Sequence, residues 1–226
     1  MTAGAIGLIG GEEFQPPAGV FDRLLLGLVA KSAPAVAILP TAAAGERPEL
    51  AAANGVRHFE GLGATAYAVM IVDRASADDE ALVDELRRAD VVYFAGGSPA
   101  RLVDGLRGSA AWAFLAEAHE RGVALAGSSA GAMALCARLA FGGSDSRGLG
   151  LVAGAAVLPH FERMAADRLE RLRSELTDGT TLIGIDGSTG CAWDGARWLV
   201  GGPGRVALIT ASDLETFRSG DTFTLP

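Results

Sequence analysis

The sequence predicts an α/β fold: a doubly wound, mostly parallel sheet flanked by helices, with a β-rich C-terminal extension. Three observations carry this. Short, near-continuous apolar runs alternate with amphipathic helical segments over the first two thirds of the chain. The 31 glycines are scattered between those runs, as tight βα turns require, and not periodic. After residue 180 the spacing shortens to strands joined by Gly-rich turns.

Residues 4–10 (GAIGLIG) read as the first strand, ending in glycines, and 35–41 (AVAILPT) as the second. Further strands are expected at 65–72, 90–95 and 122–127. Between them, Val20, Leu24, Leu25 and Leu28 mark one face of a helix over 19–31. Leu82, Val83 and Leu86 do the same over 78–88, and Trp112, Leu115 and Ala116 over 109–121, where Ser109 is placed to cap. The later strands are expected at 181–185, 190–194, 197–201 and 205–209, with Asp194-Gly195 as a hairpin turn. They read as an extension of the same sheet within a single α/β domain spanning 1–226.

Composition bounds the partners. At 226 residues and half hydrophobic, the chain can bury a sizeable core. A net charge of −8 repels phosphates at long range, which disfavours nucleic acid and anionic membrane as partners. Cys136 and Cys191 have no metal-ligand spacing and read as reduced, packed thiols of a cytoplasmic protein. The N-terminal apolar run reads as a strand and not a leader, and no run is long enough to cross a bilayer.

The chemistry concentrates at Gly127-Ser128-Ser129-Ala130-Gly131, where an apolar strand runs into G-x-S-x-G and then into a helix-forming stretch. That context suits a nucleophile elbow, with the two glycines leaving room for a sharp turn around Ser129. Ser129 is the candidate nucleophile, and the Ala130 N–H is aimed where an oxyanion would form. Ser128 lies off the motif. Of three histidines, His58 and His119 sit in charged helical stretches and are expected to be solvated or capping, whereas His160 follows an apolar run and Pro159. That places His160 at the carboxyl edge of a strand, where α/β sheets gather catalytic groups. Asp145 would complete the order Ser, Asp, His, with Asp186 as fallback. Gly96-Gly97-Ser98 ends the fourth strand and offers a second oxyanion donor at Gly97.

These segments resemble peptidase family S51, which includes dipeptidase E and cyanophycinase. The likeness rests on Ile9-Gly10-Gly11-Glu12-Glu13, Tyr93-Phe94-Ala95-Gly96-Gly97-Ser98, Gly127-Ser128-Ser129-Ala130-Gly131-Ala132 and Pro159-His160-Phe161, followed by Arg163 and Arg168. It implies a fold like that of class I glutamine amidotransferases, akin to flavodoxin. It also implies metal-independent hydrolysis without a cofactor, with Ser129 as nucleophile and a preference for short peptides carrying acidic or β-aspartyl residues. Two features depart from the family pattern: the stretch between Ser129 and His160 is short, and Gly187 follows Ile185-Asp186 where cyanophycinases carry an acid.

The expected partner is a small peptide, bound by one chain or by a homodimer, with Gly96, Ser98 and Arg163 on the substrate side. Arg101 and Arg147 are further cations suited to an acidic side chain. An α/β-hydrolase esterase would spread its acid and histidine further along the chain. A thiol enzyme is disfavoured because Cys136 lies beyond the elbow. A catalytically quiet binding protein on the same fold is the alternative from another class, motivated by the trimmed loop and Gly187.

Overall fold

A computed structural model describes residues 2–141, 146–176 and 179–225. Strands β1 (Ile6–Ile9), β2 (Ala35–Leu39), β3 (Thr65–Ala68), β4 (Val91–Phe94) and β5 (Ala124–Ser128) lie where the apolar runs predict them. They alternate with helices α1 (Gly19–Gly27), α2 (Pro48–Gly61), α3 (Arg74–Ala77), α4 (Glu80–Leu86), α5 (Pro99–Leu106) and α6 (Ala110–Glu120). Then follow α7 (Ala130–Leu135), β6 (Ala155–Pro159), α8 (Ala166–Ser174), β7 (Thr181–Ile185), β8 (Gly190–Trp193), β9 (Trp198–Gly201), β10 (Arg205–Ile209), β11 (Leu214–Arg218) and β12 (Thr222–Phe223).

The main sheet has the order β12-β9-β8-β1-β5-β4-β2-β3. From β1 to β3 every pairing is parallel, while β8, β9 and β12 add on antiparallel. Both faces are covered, which is why its central strands are apolar throughout. On β4, Val92 and Phe94 pack into one core with Leu102 of α5 and Leu115 of α6. Val91 and Tyr93 face the other core with Phe21 and Leu25 of α1 and Phe59 of α2.

The C-terminal strands divide between two sheets, which corrects the expectation that they extend one. β8 and β9 join the main sheet, whereas β7 and β10 pair with β6 and β11 in a separate sheet ordered β11-β10-β7-β6. Leu158, Leu182 and Ile209 of this second sheet bury one face against Phe161, with Leu169 and Leu172 of α8 partly covering it. The sheet bears on the candidate site because His160 directly follows β6.

Local expectations are met unevenly. Ser109 caps α6, its hydroxyl accepting from Trp112 N–H at 3.1 Å. The Asp194 carboxylate closes the β8–β9 turn by accepting from Ala196 and Arg197 N–H. In α1, however, Val20 faces solvent and Phe21 takes its place in the core. His58 is not solvated: its ring lies inside, 2.7 Å from the buried carboxylate of Asp22. His119 does serve a helix end, its Nδ1 lying 3.1 Å from the Val123 carbonyl. No helix among the described residues is long and apolar enough to cross a membrane.

Candidate active site

The elbow forms where β5 meets α7. Ser129 takes φ 50° and ψ −109°, a sparsely populated conformation for an L-residue that costs of order 1–3 kcal/mol and persists only where its surroundings enforce it. Its N–H donates to Ile9 O at 2.9 Å, and its carbonyl accepts from Met133 N–H at 3.0 Å. A side chain at Gly127 would lie 2.4 Å from the Gly131 carbonyl carbon, and one at Gly131 would lie 2.4 Å from Phe94 O. The turn is therefore closed to any residue but glycine at both flanks. Ser129 is half-buried, whereas Ser128 is fully buried and donates its hydroxyl to Glu13 Oε2 at 2.9 Å. Ser129, not Ser128, is the serine a ligand can reach.

His160 ends β6 in a left-handed conformation, φ 49° and ψ 43°. Its N–H donates to Gly10 O at 2.8 Å, one carbonyl beyond the one that holds Ser129. The next, Gly11 O, accepts from Ser188 N–H at 2.8 Å. Three successive carbonyls leaving β1 thus hold the elbow, the histidine and the turn after β7. The imidazole packs directly against Gly11, where a Cβ would come within 2.2 Å of Cε1. His160 Nδ1 is buried without a hydrogen-bond partner, and Glu12 Oε1 lies 4.0 Å from it.

The loop after β4 is tied to the same segment. Gly96 N–H donates to Glu13 Oε1 at 2.8 Å, so one carboxylate bridges this loop to Ser128 beside the elbow. Gly97 follows at φ 141°, and Ser98 N–H donates to Ala42 O at 2.9 Å. Beneath them, burial and the nearby Asp22 and Glu13 carboxylates push the Tyr93 hydroxyl well above its ordinary range.

A polypeptide whose first strand organises a strand–serine–helix elbow and a strand-end histidine can be compared directly with known families. The model of peptidase family S51 matches residues 8–196, which contains every group just described. The chain belongs to peptidase family S51. A peptidase from an acI-B1 Actinobacterium superposes with a TM-score of 0.87 at 26% identity, over 98% of this chain and 97% of that one. A putative peptidase E protein from Listeria monocytogenes EGD-e has a TM-score of 0.63 at 18% identity, over 96% and 99%, and shares the fold. Comparison with curated protein sequences returned no relative. Membership places the chain among serine-type peptidases.

Within this S51 frame the residues singled out from sequence fall as follows. Ser129 and His160 converge on the end of β1, Ala130 opens α7 directly after Ser129, and Gly97 stands in the loop after β4. The Gly96 N–H is taken by Glu13, and Ser98 caps α5, its hydroxyl accepting from Arg101 N–H at 3.4 Å. Arg163 lies at the site's edge, its guanidinium 2.6 Å from Glu12 Oε1 and 3.2 Å from Glu162 Oε1. Arg101 lies against Gly45, and Arg168 stacks over the Phe141 ring. Asp145 lies outside the described residues. Asp186 turns to β10, its Oδ2 accepting from Arg205 N–H at 3.0 Å. Among the described residues no group of three or more His, Cys, Asp and Glu is arranged to hold a metal ion.

Glu12 and Glu13 escaped the sequence reading as functional groups, although the segment containing them was singled out. Their signal was position: two acids directly after a strand that ends in Gly-Gly.

Proposed function

We propose that the chain hydrolyses the peptide bond of short peptides, with acidic or β-aspartyl residues preferred, through an acyl-enzyme on Ser129. The observation that carries this reading is the anchoring of Ser129 and His160 on the adjacent carbonyls of Ile9 and Gly10. In the proposed reaction His160 takes the proton of the Ser129 hydroxyl as Oγ attacks the carbonyl carbon. The oxyanion is received by the N–H groups of Ala130, at the open end of α7, and of Gly97. His160 then protonates the departing amine, and a water deprotonated by the same imidazole releases the product acid.

An acidic substrate side chain would meet Arg163, exchanging for the Glu12 and Glu162 carboxylates that hold it in the free protein. A cytoplasmic setting fits two buried, unpaired cysteines. Gly187 favours a second reading, a binding protein that has lost turnover.

One experiment decides between them. A library of dipeptides and short peptides, including β-aspartyl linkages, is incubated with wild type and with Ser129→Ala, and cleavage is read by mass spectrometry. Cleavage by wild type that is lost in Ser129→Ala supports the peptidase. Cleavage retained in the variant, or none by folded wild type with peptides bound intact, contradicts it.

A further inference from the structure

The imidazole of His160 has one nitrogen to spare. If Nε2 serves the serine, Nδ1–H needs an acceptor that fixes the tautomer and steadies the charged ring. In the structure Nδ1 is buried and unpartnered. Asp186, next to the end of β7, gives Oδ2 to Arg205 and keeps Oδ1 buried without a hydrogen-bond partner, but no ion pair joins it to His160 among the described residues.

Glu12 is differently placed. Its Oε1 is 4.0 Å from Nδ1, a distance that a side-chain movement of about 1 Å turns into a hydrogen bond, as catalytic contacts in free enzymes often require. Its backbone is left-handed, φ 56°, directly after Gly11, over which the imidazole lies. In the free protein the same Oε1 is paired with the Arg163 guanidinium at 2.6 Å, a pairing that an acidic substrate side chain on Arg163 would release, leaving Glu12 to turn to the imidazole. The space it occupies is open because residue 187 has no side chain: a Cβ there would stand 3.0 Å from Glu12 Cγ and 3.4 Å from Glu162 Oε1. Glu162 itself is committed, its Oε2 accepting from Gly187 N–H at 2.8 Å and its Oε1 facing Arg163.

We propose that Glu12 is the positioning carboxylate of His160, reaching from the end of β1 into the space left by the bare backbone of Gly187. Glu12 touches no reacting atom. It accepts the Nδ1 proton, points Nε2 at Ser129 and stabilises the imidazolium while the serine proton resides there. This inference rests on the Ser129–His160 peptidase reading.

The test measures kcat and KM on the dipeptide that wild type cleaves fastest, for Glu12→Gln, for Glu12→Ala, and for Glu12→Ala combined with Gly187→Glu, with Ser129→Ala alongside. Glu12→Gln, which keeps size and polarity, is expected to lower kcat at least about 100-fold with KM changed less than about threefold, the pattern of a contact that matters in the transition state. The double variant is expected to regain at least about tenfold over Glu12→Ala, because the carboxylate returns to the same space from the turn after β7. Packing alone would not give that rescue. Wild-type kcat in Glu12→Gln, or a double variant no better than Glu12→Ala, overturns the inference. Retained activity in Ser129→Ala would instead overturn the peptidase reading beneath it.

Discussion

Ser129 and His160 come from different sheets, yet their backbone N–H groups donate to neighbouring carbonyls of one segment, Ile9 O at 2.9 Å and Gly10 O at 2.8 Å. The two residues proposed as nucleophile and base are thereby anchored on consecutive carbonyls at the end of β1. Both residues are held at positive φ, 50° and 49°, so the strain of each is borne by the same rigid strand end.

Substitution at the elbow should separate chemistry from folding. Ser129→Ala removes the hydroxyl and nothing that holds the turn, so its thermal midpoint should stay within a few degrees of wild type. Turnover should fall at least about 10³-fold. Gly131→Ala should do the reverse first: its Cβ would meet Phe94 O at 2.4 Å, and a loss of about 1–3 kcal/mol in chemical denaturation is expected.

Glu13 ties the Gly96 loop to Ser128, and both ties are charge-assisted. Glu13→Ala should cost about 2 kcal/mol of stability, since a backbone N–H and a buried hydroxyl lose their acceptor. It should also lower kcat about tenfold or more, because the loop carrying Gly97 is no longer held against the elbow. Urea unfolding and steady-state kinetics on the same preparation check both halves.

The thiols give a prediction independent of activity. Burial pushes the Cys136 thiol up to about 12 and that of Cys191 well above its ordinary value. At pH 8 both are neutral and enclosed, so Ellman's reagent should modify neither in the native protein and both in denaturant. Rapid native labelling of either would contradict the packing around α7 and β8.

Burial lowers the pKa of His119 below its ordinary 6.5. Between that value and its lower folded one the unfolded chain binds more protons, so this group's contribution to stability is present above pH 6.5 and is lost as pH falls through the window. His119→Gln should flatten the decline of the urea midpoint between pH 7.5 and 5.5. An unchanged slope would show that His119 is not the group responsible.

Much of this was legible because the elbow is a local affair. Gly127, Ser129 and Gly131 declare their turn through spacing alone, and the clashes a Cβ would cause at both flanks show why. The parallel strands were legible because burial on both faces makes β1 and β4, and β5 up to Ser128, continuous runs without charged residues. Elements that lean on distant partners were not. Helix α2 buries only Ala52, Gly55 and Phe59, and α8 buries no residue fully, so neither shows a strong stripe. The split of the C-terminal strands into two sheets depends on pairing partners: β7 pairs with β6, each residue with one 26 positions upstream, which no local pattern encodes. The Glu12–His160 approach joins residues far apart in sequence and was likewise hidden.

The most direct measurement is labelling with a fluorophosphonate, read by intact mass and located by peptide sequencing, in wild type and in His160→Ala. A serine activated by His160 predicts one adduct per chain, on Ser129, formed far more slowly in the variant. An adduct on Ser128, or labelling of Ser129 at the same rate without His160, would contradict the account.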